Sequence, residues 1–269
     1  MNHAAIEIKN LSFRYEDQPV LKNISLTIKC GEHVALIGHT GIGKTTLLYH
    51  LDALLFPDEG TVHVLGLDTK KHKEEIREKV GLVFQEPSHQ LFGITVEEDV
   101  AFGPRNMGLS EIEIKERVAQ ALKITGLEKQ KDKAPHQLSG GQKKLACIAG
   151  ILAMDPQVVI LDEPTTGLDP EQTKIVMDFI CKKLKKENKT MILVTHDVEL
   201  IPQYTDRAIL LHNGEAIEDT TPRNVFKNTA LLKKCGLAPP KTVELFQKLG
   251  KKDIALTVDE AVEKLKQES

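Results

Sequence analysis

The apolar pattern predicts an α/β chain built on a parallel sheet with helices over both faces. Three observations carry that expectation. The runs His33-Val34-Ala35-Leu36-Ile37, "QVVILDE" (Gln157 to Glu163) and "TMILVTH" (Thr190 to His196) are apolar without alternation, as strands buried on both faces are. Segments of helical length and period separate them, so the connections are crossovers rather than hairpins. A glycine-rich stretch, "GHTGIGKTTLL" (Gly38 to Leu48), follows the first run and leads into a helix start at Thr46 to Leu55.

Taken in order, "IEIKNLSFRY" (Ile6 to Tyr15) and "LKNISLTIK" (Leu21 to Lys29) read as period-two strands joined through Asp17-Gln18-Pro19. "TVHVLG" (Thr61 to Gly66) adds a strand, and a charged helical stretch leads into "VGLVFQ" (Val80 to Gln85). Ser110 and Glu113 form a capping-box signature opening a helix that Gly126 ends. Further helices are expected from about Gly140 to Met154 and from Pro170 to Lys186. "AILLHNGEAIED" (Ala208 to Asp219) reads as a hairpin around Asn213-Gly214. Beyond Pro239-Pro240 two short amphipathic helices form a small appendage, the second opened by the box Thr257 to Glu260.

Composition narrows the function. Lys and Arg number 36 against 39 Asp and Glu, so no global field draws the chain to nucleic acid or anionic lipid. Tryptophan is absent and aromatics are sparse, which argues against an aromatic platform for nucleic acid. Cys30, Cys147, Cys181 and Cys235 are scattered, as reduced packing thiols would be. His3, His50, His63, His72 and His89 have no metal-ligand spacing. No signal peptide and no apolar run of roughly 20 residues is present, so the chain alone is expected to be soluble, with any membrane role requiring a partner.

Gly38, Gly43, Lys44 and Thr45 fit G-x-x-x-x-G-K-[ST], the phosphate-binding loop, in the strand–loop–helix context it needs. Glycines let successive N–H groups converge on an anion at a helix N-terminus, Lys44 reaches the β- and γ-phosphates, and the Thr45 hydroxyl meets Mg²⁺. "VVILDE" places Asp162 to hold Mg²⁺ and Glu163 to polarise an attacking water. "LSGGQ" (Leu138 to Gln142) sets Gly140 and Gly141 at a second helix N-terminus, with Ser139 supplying a hydroxyl. A second anion site is of no obvious use to a monomer. It makes sense if it closes over a second subunit's nucleotide.

At this point the chain resembles the ATP-binding-cassette ATPases, whose signature is LSGGQ. The other motifs of that family follow: Tyr15 as the A-loop aromatic, Gln85 of the Q-loop, "GLD" (Gly167 to Asp169) as the D-loop and His196 as the switch histidine. The resemblance covers roughly Ile6 to Phe226. It implies a P-loop NTPase fold of the cassette type, with a RecA-like parallel-sheet core, an antiparallel β subdomain and a helical signature subdomain at about 86–155. The ATPase domain is expected at 1–236 and the helical C-terminal appendage at 237–269.

The resemblance also implies roles. Tyr15 would stack on adenine, while Gly38, His39, Thr40, Gly41, Ile42, Gly43, Lys44, Thr45 and Thr46 would wrap the phosphates. Thr45 and Gln85 would touch Mg²⁺ with Asp162 behind; Glu163 would be the catalytic base and His196 the γ-phosphate sensor. Ser139, Gly140, Gly141 and Gln142 would face ATP held by the opposite subunit, and Asp169 would couple the two sites. One departure stands out: Lys143-Lys144-Leu145 puts leucine where many members carry arginine, so the polar tether of the signature helix is either missing or supplied by a neighbouring lysine.

"GLVFQEPSHQLFGITVEEDVAFGPRNMGLS" (Gly81 to Ser110) is similar to the ATPase subunits of energy-coupling-factor importers, and "AGILAMDP" (Ala149 to Pro156) to their cobalt and nickel members. The resemblance implies a second ATPase chain, identical or paralogous, a transmembrane coupling subunit, a substrate-binding membrane subunit and a peripheral place on the cytoplasmic face of the membrane. Gln90, Leu91 and Phe92 would form the docking segment, and Glu97, Glu98 and Asp99 would receive arginines from the partner; the three acids equally suit a helix first turn. Cobalt is the expected cargo and a shared vitamin-import module the alternative. A cassette protein without a transport role would share the ATPase motifs but usually carries tandem cassettes or coiled coils.

Overall fold

The computed structural model of the chain describes residues 3–251 and 253–267. Its strands are β1 (Ala4–Tyr15), β2 (Gln18–Lys29), β3 (His33–Ile37), β4 (Glu59–Val64), β5 (Leu67–Asp68), β6 (Val80–Val83), β7 (Val158–Asp162), β8 (Thr190–Val194), β9 (Arg207–His212) and β10 (Glu215–Thr220). Its helices are α1 (Lys44–Leu51), α2 (Lys73–Lys79), α3 (Val96–Asn106), α4 (Glu111–Thr125), α5 (Gly140–Met154), α6 (Pro170–Lys186), α7 (Ile201–Tyr204), α8 (Pro222–Lys227), α9 (Thr229–Lys234), α10 (Lys241–Lys248) and α11 (Val258–Gln267). The strands form a central sheet in the order β10-β9-β3-β8-β7-β6 and an antiparallel sheet in the order β2-β1-β4-β5. Within the central sheet all neighbours run parallel except the β9–β10 hairpin.

Every residue of β3, β6, β7 and β8 is buried, which is why these runs lack alternation. In β2 the alternation is broken once and in β1 twice, the first time where Ala5 and Ile6 are both buried. Asn10 and Asn23 take left-handed backbone (φ 52° and 48°), so Ile8 and Leu11, and likewise Leu21 and Ile24, lie three apart yet both face inward. The bulges are tied together: the Asn10 N–H donates to Ser25 Oγ (2.9 Å) and the Asn23 N–H to Ser12 Oγ (3.1 Å). The turn between these strands is Glu16-Asp17 rather than Asp17-Gln18-Pro19, because Tyr15 and Gln18 already pair. Pro19 then sits in the outer strand of its sheet, where no ladder N–H is missed. Helix α1 stops at Leu51, short of the expected Leu55, because the Leu54 and Leu55 N–H groups both turn back to Tyr49 O (2.8 and 3.1 Å).

Helices α3, α4 and α5 share one core with α6 and a face of β7 and β8, through Val96, Val118, Leu122, Ile148, Val176 and Leu193. The Ser110–Glu113 box is formed in both directions, and Gly126 ends α4 at φ 69°. On the other face, β1, β2, β4 and α1 pack against β3, β6, β7 and β8 through Leu11, Leu48, Val62, Ile160 and Ile192. The C-terminal segment joins a third cluster, where Val243 and Ile254 meet Ala35, Ile37, Ala208 and Leu210 of the central sheet. A hydrogen bond from the Lys241 N–H to Glu199 Oε1 (2.7 Å) ties it to the segment after His196.

Asp52, at the end of α1, is only 8% exposed. Burial pushes its carboxyl up to about 7, with the charge of Arg77 opposing in part. A folded-state value above the unfolded one means that ionisation costs stability: the penalty grows as pH rises from about 4 to 7 and is complete above that. At about 1.4 kcal/mol per pH unit the cost reaches a few kcal/mol. Asp52→Asn is therefore expected to raise the thermal midpoint at pH 8 and leave it nearly unchanged at pH 4. An equal shift at both pH values, read by calorimetry, would assign the effect to something other than this charge.

Candidate functional site

At the C-terminal ends of β3, β7 and β8 lies a cavity of about 320 Å³. The loop between β3 and α1 forms its floor through Thr40, Gly41 and Gly43, continued by Lys44, Thr45 and Thr46 of α1. Gly43 has φ 102°, and a Cβ there would press on Leu21 Cδ2 (2.9 Å) and Val20 Cγ1 (3.0 Å), so only glycine lets the loop pass under β2. Helix α1 starts without a side-chain cap and with no acidic residue in its first turn. Helices α3, α4, α5 and α6 are all capped by their own Thr95, Ser110, Ser139 and Asp169. The first N–H groups of α1 thus remain available to an anion.

Lys44 is buried, and its ammonium donates to Gly38 O (2.8 Å) and His39 O (2.9 Å). Burial lowers its pKa, and Glu163 and Asp162 oppose the shift. The Thr45 hydroxyl donates to Asp162 Oδ2 (2.7 Å), and burial raises the Asp162 carboxyl despite that bond and the Lys44 charge. Glu163 follows with φ 49° and is 5% exposed. Its Oε2 accepts the His196 N–H (3.2 Å), while Oε1 makes no hydrogen bond and lies 3.4 Å from His196 Nε2. Burial raises its carboxyl too, against the His196 N–H and the charges of His196 and Lys44. Gln85, exposed, and Tyr15, half-exposed, complete the walls; Phe13 braces the Tyr15 ring edge-on at 4.9 Å. His39 is exposed with Nδ1 2.9 Å from Thr40 O, and Ile42 packs against the β-sheet core.

None of Ser139, Gly140, Gly141 and Gln142 lines this cavity. Ser139 and Gly140 are exposed at the start of α5, and Ser139 and Gln142 cap each other, with the Ser139 N–H on Gln142 Oε1 (3.1 Å) and the Gln142 N–H on Ser139 Oγ (3.3 Å). A Cβ on Gly141 would strike Gly167 O at 2.5 Å, so the start of α5 lies directly against the "GLD" loop. Asp169 caps α6 by accepting the Gln172 N–H (2.8 Å).

The segment after Gln85 is arranged less simply. Gln90 turns inward, its Oε1 accepting the Phe84 N–H (3.2 Å), and Leu91 packs against the helical core. Asp99 Oδ1 accepts the Phe92 and Gly93 N–H groups (3.0 and 2.8 Å), and Glu98 Oε2 the Ile94 N–H (3.2 Å). Glu97 lies 3.8 Å from Lys131. Outside stand Phe92 (67% exposed), Ile94 and Phe102, with the two phenyl rings edge-to-face at 4.6 Å. Lys144 was readable only as one of two lysines, yet it proves buried, donating to Phe84 O and Gln85 O. Its signal was positional: residues 144, 148 and 151 share one helical stripe, and the other two are isoleucines.

The family profile described as "ABC transporter" matches residues 21–166. The energy-coupling factor transporter ATP-binding protein EcfA of Methanothermobacter thermautotrophicus is 44% identical over 268 residues, spanning 97% of this chain and 86% of that protein. The chain belongs to the ABC transporter family, in the branch of the energy-coupling-factor ATP-binding proteins. EcfA1 of Caldanaerobacter subterraneus subsp. tengcongensis is 46% identical over 270 residues, spanning 96% of this ABC ATPase and 97% of the relative. Among solved structures, cbiO1 from Clostridium perfringens, described as part of the ABC transporter complex cbiONQ, superposes with a TM-score of 0.75 at 38% identity, covering 92% of this chain and all of that one. A dimeric cassette in a post-hydrolysis state bound to ADP and Pi also reaches 0.75, at 31% identity and 81% of this chain against 99% of its own. As a member of the family, this ABC ATPase binds ATP and couples its hydrolysis to transport.

Proposed function

We propose that the chain is the ATP-hydrolysing subunit that dimerises around ATP and energises import through the membrane subunits of an energy-coupling-factor transporter, with cobalt ions as cargo. One observation carries the dimer: Ser139 and Gly140 stand exposed at the start of α5, and no residue of LSGGQ lines the cavity that the other phosphate-handling segments of the chain form. A second chain then supplies what the first cavity lacks, and the likeness to a dimeric cassette bound to ADP and Pi supports that reading. Ser139 and Gly141 then face the γ-phosphate held by the partner, and Asp169 lies beside that seam.

Within one cavity Tyr15 stacks on adenine, the loop from Gly38 to Thr46 wraps the phosphates, and Lys44 exchanges its two carbonyl partners for phosphate oxygens. Thr45 and Asp162, hydrogen-bonded to each other, line this cavity together with Gln85; their hydroxyl, carboxylate and amide oxygens are of the kind a hard divalent cation prefers, and they would hold Mg²⁺. Bound there, Mg²⁺ would neutralise charge on the β- and γ-phosphate oxygens. Glu163, with one oxygen fixed by the His196 N–H and the other without a hydrogen bond, orients water for in-line attack on the γ-phosphate. His196, at the same carboxylate, registers the γ-phosphate.

The exposed apolar spot of Phe92, Ile94 and Phe102 supports docking of the membrane subunit after the Q-loop, with Glu97 and Glu98 at its rim and Asp99 holding the loop's shape. Among the described residues no helix is long and apolar enough to cross a membrane, and the chain would sit peripherally on the cytoplasmic face. The resemblance of "AGILAMDP" (Ala149 to Pro156) to the cobalt and nickel members supports the cobalt reading. A second reading, a vitamin-import module with a paralogous ATPase, draws support from the near-equal likeness to EcfA1 and EcfA2 of one organism, at 46% and 44% identity. Co-purification with the membrane subunits followed by uptake of radiolabelled Co²⁺ against labelled vitamins decides between them. Phe92→Glu is expected to keep ATP binding and lose about tenfold or more in retention of the membrane subunit, as loss of a central interface aromatic commonly does. Undiminished retention would refute the docking role.

A further inference from the structure

The buried lysine of the signature helix, Lys144, is 1% exposed and ranks with the largest fully buried side chains, and its ammonium donates to backbone carbonyls rather than to a carboxylate. Burying an ammonium is costly unless its donors are used. Its donors reach Phe84 O (3.0 Å) and Gln85 O (2.6 Å), two successive carbonyls where β6 gives way to the Q-loop. The same stretch is held from its other side by Gln90 Oε1 on the Phe84 N–H (3.2 Å), and one turn along α5 the Cys147 thiol approaches Pro87 O at 3.9 Å. Leu145, the next residue of α5, is buried in the helical core and offers no polar tether. Burial pulls the Lys144 pKa down, while Cys147, Asp162, Glu86 and Glu163 pull it back up, so the group lies within the field of the cavity's carboxylates.

We propose that Lys144 is a positioning residue that fastens the Gln85 backbone to the first turns of α5, so that Gln85 in the cavity of one chain and the LSGGQ start of the same helix shift as one body. The inference rests on the proposed dimeric ATPase reading and adds to it the part that links its two halves. Without the lysine, ATP still finds the intact loop of Gly38 to Thr46, but Gln85 is no longer held where hydrolysis needs it. The effect belongs to turnover and to the demand for Mg²⁺ rather than to nucleotide affinity.

The test is a double-mutant cycle on the purified full chain, with Lys144→Met, which fills the volume without donors, and Gln85→Ala. Lys144→Gln, which keeps one amide donor, serves the same cycle should the methionine variant fail to fold. The expected result is ATP affinity within about twofold of the parent, kcat lowered about tenfold, and a Mg²⁺ midpoint raised severalfold, as for a group acting on the chemical step. In the Gln85→Ala background the same lysine substitution is expected to cost less than about twofold. A lysine variant with parental kcat and Mg²⁺ midpoint, or a tenfold loss that persists without the Gln85 side chain, would overturn the proposal. Glu163→Gln run in parallel separates the two readings: if it hydrolyses ATP at the parental rate, the ATPase reading itself fails, whatever Lys144 does.

Discussion

Glu163→Gln is expected to lower kcat for ATP about a thousandfold, within the range seen when a general base is removed, while ATP affinity changes by no more than a fewfold. The side chain is placed by constraints that glutamine keeps. It leaves the end of β7 with φ 49°, its N–H donates to Val194 O (2.9 Å), and the His196 N–H meets one side-chain oxygen. What glutamine loses is the charge, and with it the ability to draw a proton from water. ATP-bound dimers should accumulate, because the step that reopens them is blocked. The parent's pH profile carries a matching mark. Since burial raises the Glu163 carboxyl above its ordinary 4.5, activity should fall away on acidification at a higher pH than a free glutamate would dictate. Single-turnover hydrolysis and size-exclusion with ATP measure both effects; a parental rate in the glutamine variant rejects the base assignment.

Lys44→Ala is expected to act on the other parameter, weakening ATP binding about a hundredfold, as loss of a desolvated charge contact of a few kcal/mol does. The ammonium is gathered in by Gly38 O and His39 O beside the loop, so it needs no long search to reach phosphate. Alanine removes the positive charge that offsets Asp162 and Glu163, leaving two carboxylates facing an incoming polyanion. Calorimetric titration with ATP checks this. Unchanged affinity would mean that backbone N–H groups alone hold the phosphates.

Much of this architecture was legible because its signals are local. β3, β7 and β8 betray themselves by unbroken apolar runs, and α4 by the Ser110–Glu113 box that opens it and the Gly126 that ends it. The bulges at Asn10 and Asn23 were not legible, since one inserted residue in each of two strands looks like imperfect alternation until the strands are paired. Helices α8 and α9, six residues each, are too short to show a period. In the site, Tyr15, Lys44, Gln85, Asp162, Glu163 and His196 come from distant segments yet border one cavity, because strand ends converge there whatever the loops do. The inward turns of Gln90 and Asp99 depend on the path of a loop, and acidic residues in a helix first turn read the same whether they meet solvent, a partner or their own backbone.

The strand order of the central sheet has a consequence for how this protein is made. β3 lies between β8 and β9, so Ala35 pairs with Leu193 on one side and Ala208 on the other. Both partners are encoded about 155–175 residues downstream. At ~5–20 residues per second, a ribosome needs on the order of 10–35 s to deliver them. Over that interval a strand destined for burial at every position has neither of its edges satisfied, and the closure of so long a loop makes its pairing intrinsically slow. The nascent chain can settle its β1–β2 hairpin early, but it cannot place the floor of its nucleotide cavity until translation has reached β9. An adhesive, unpaired strand near the start of the chain is therefore built into the order in which this sheet is assembled, and the cell must shelter it on every round of synthesis.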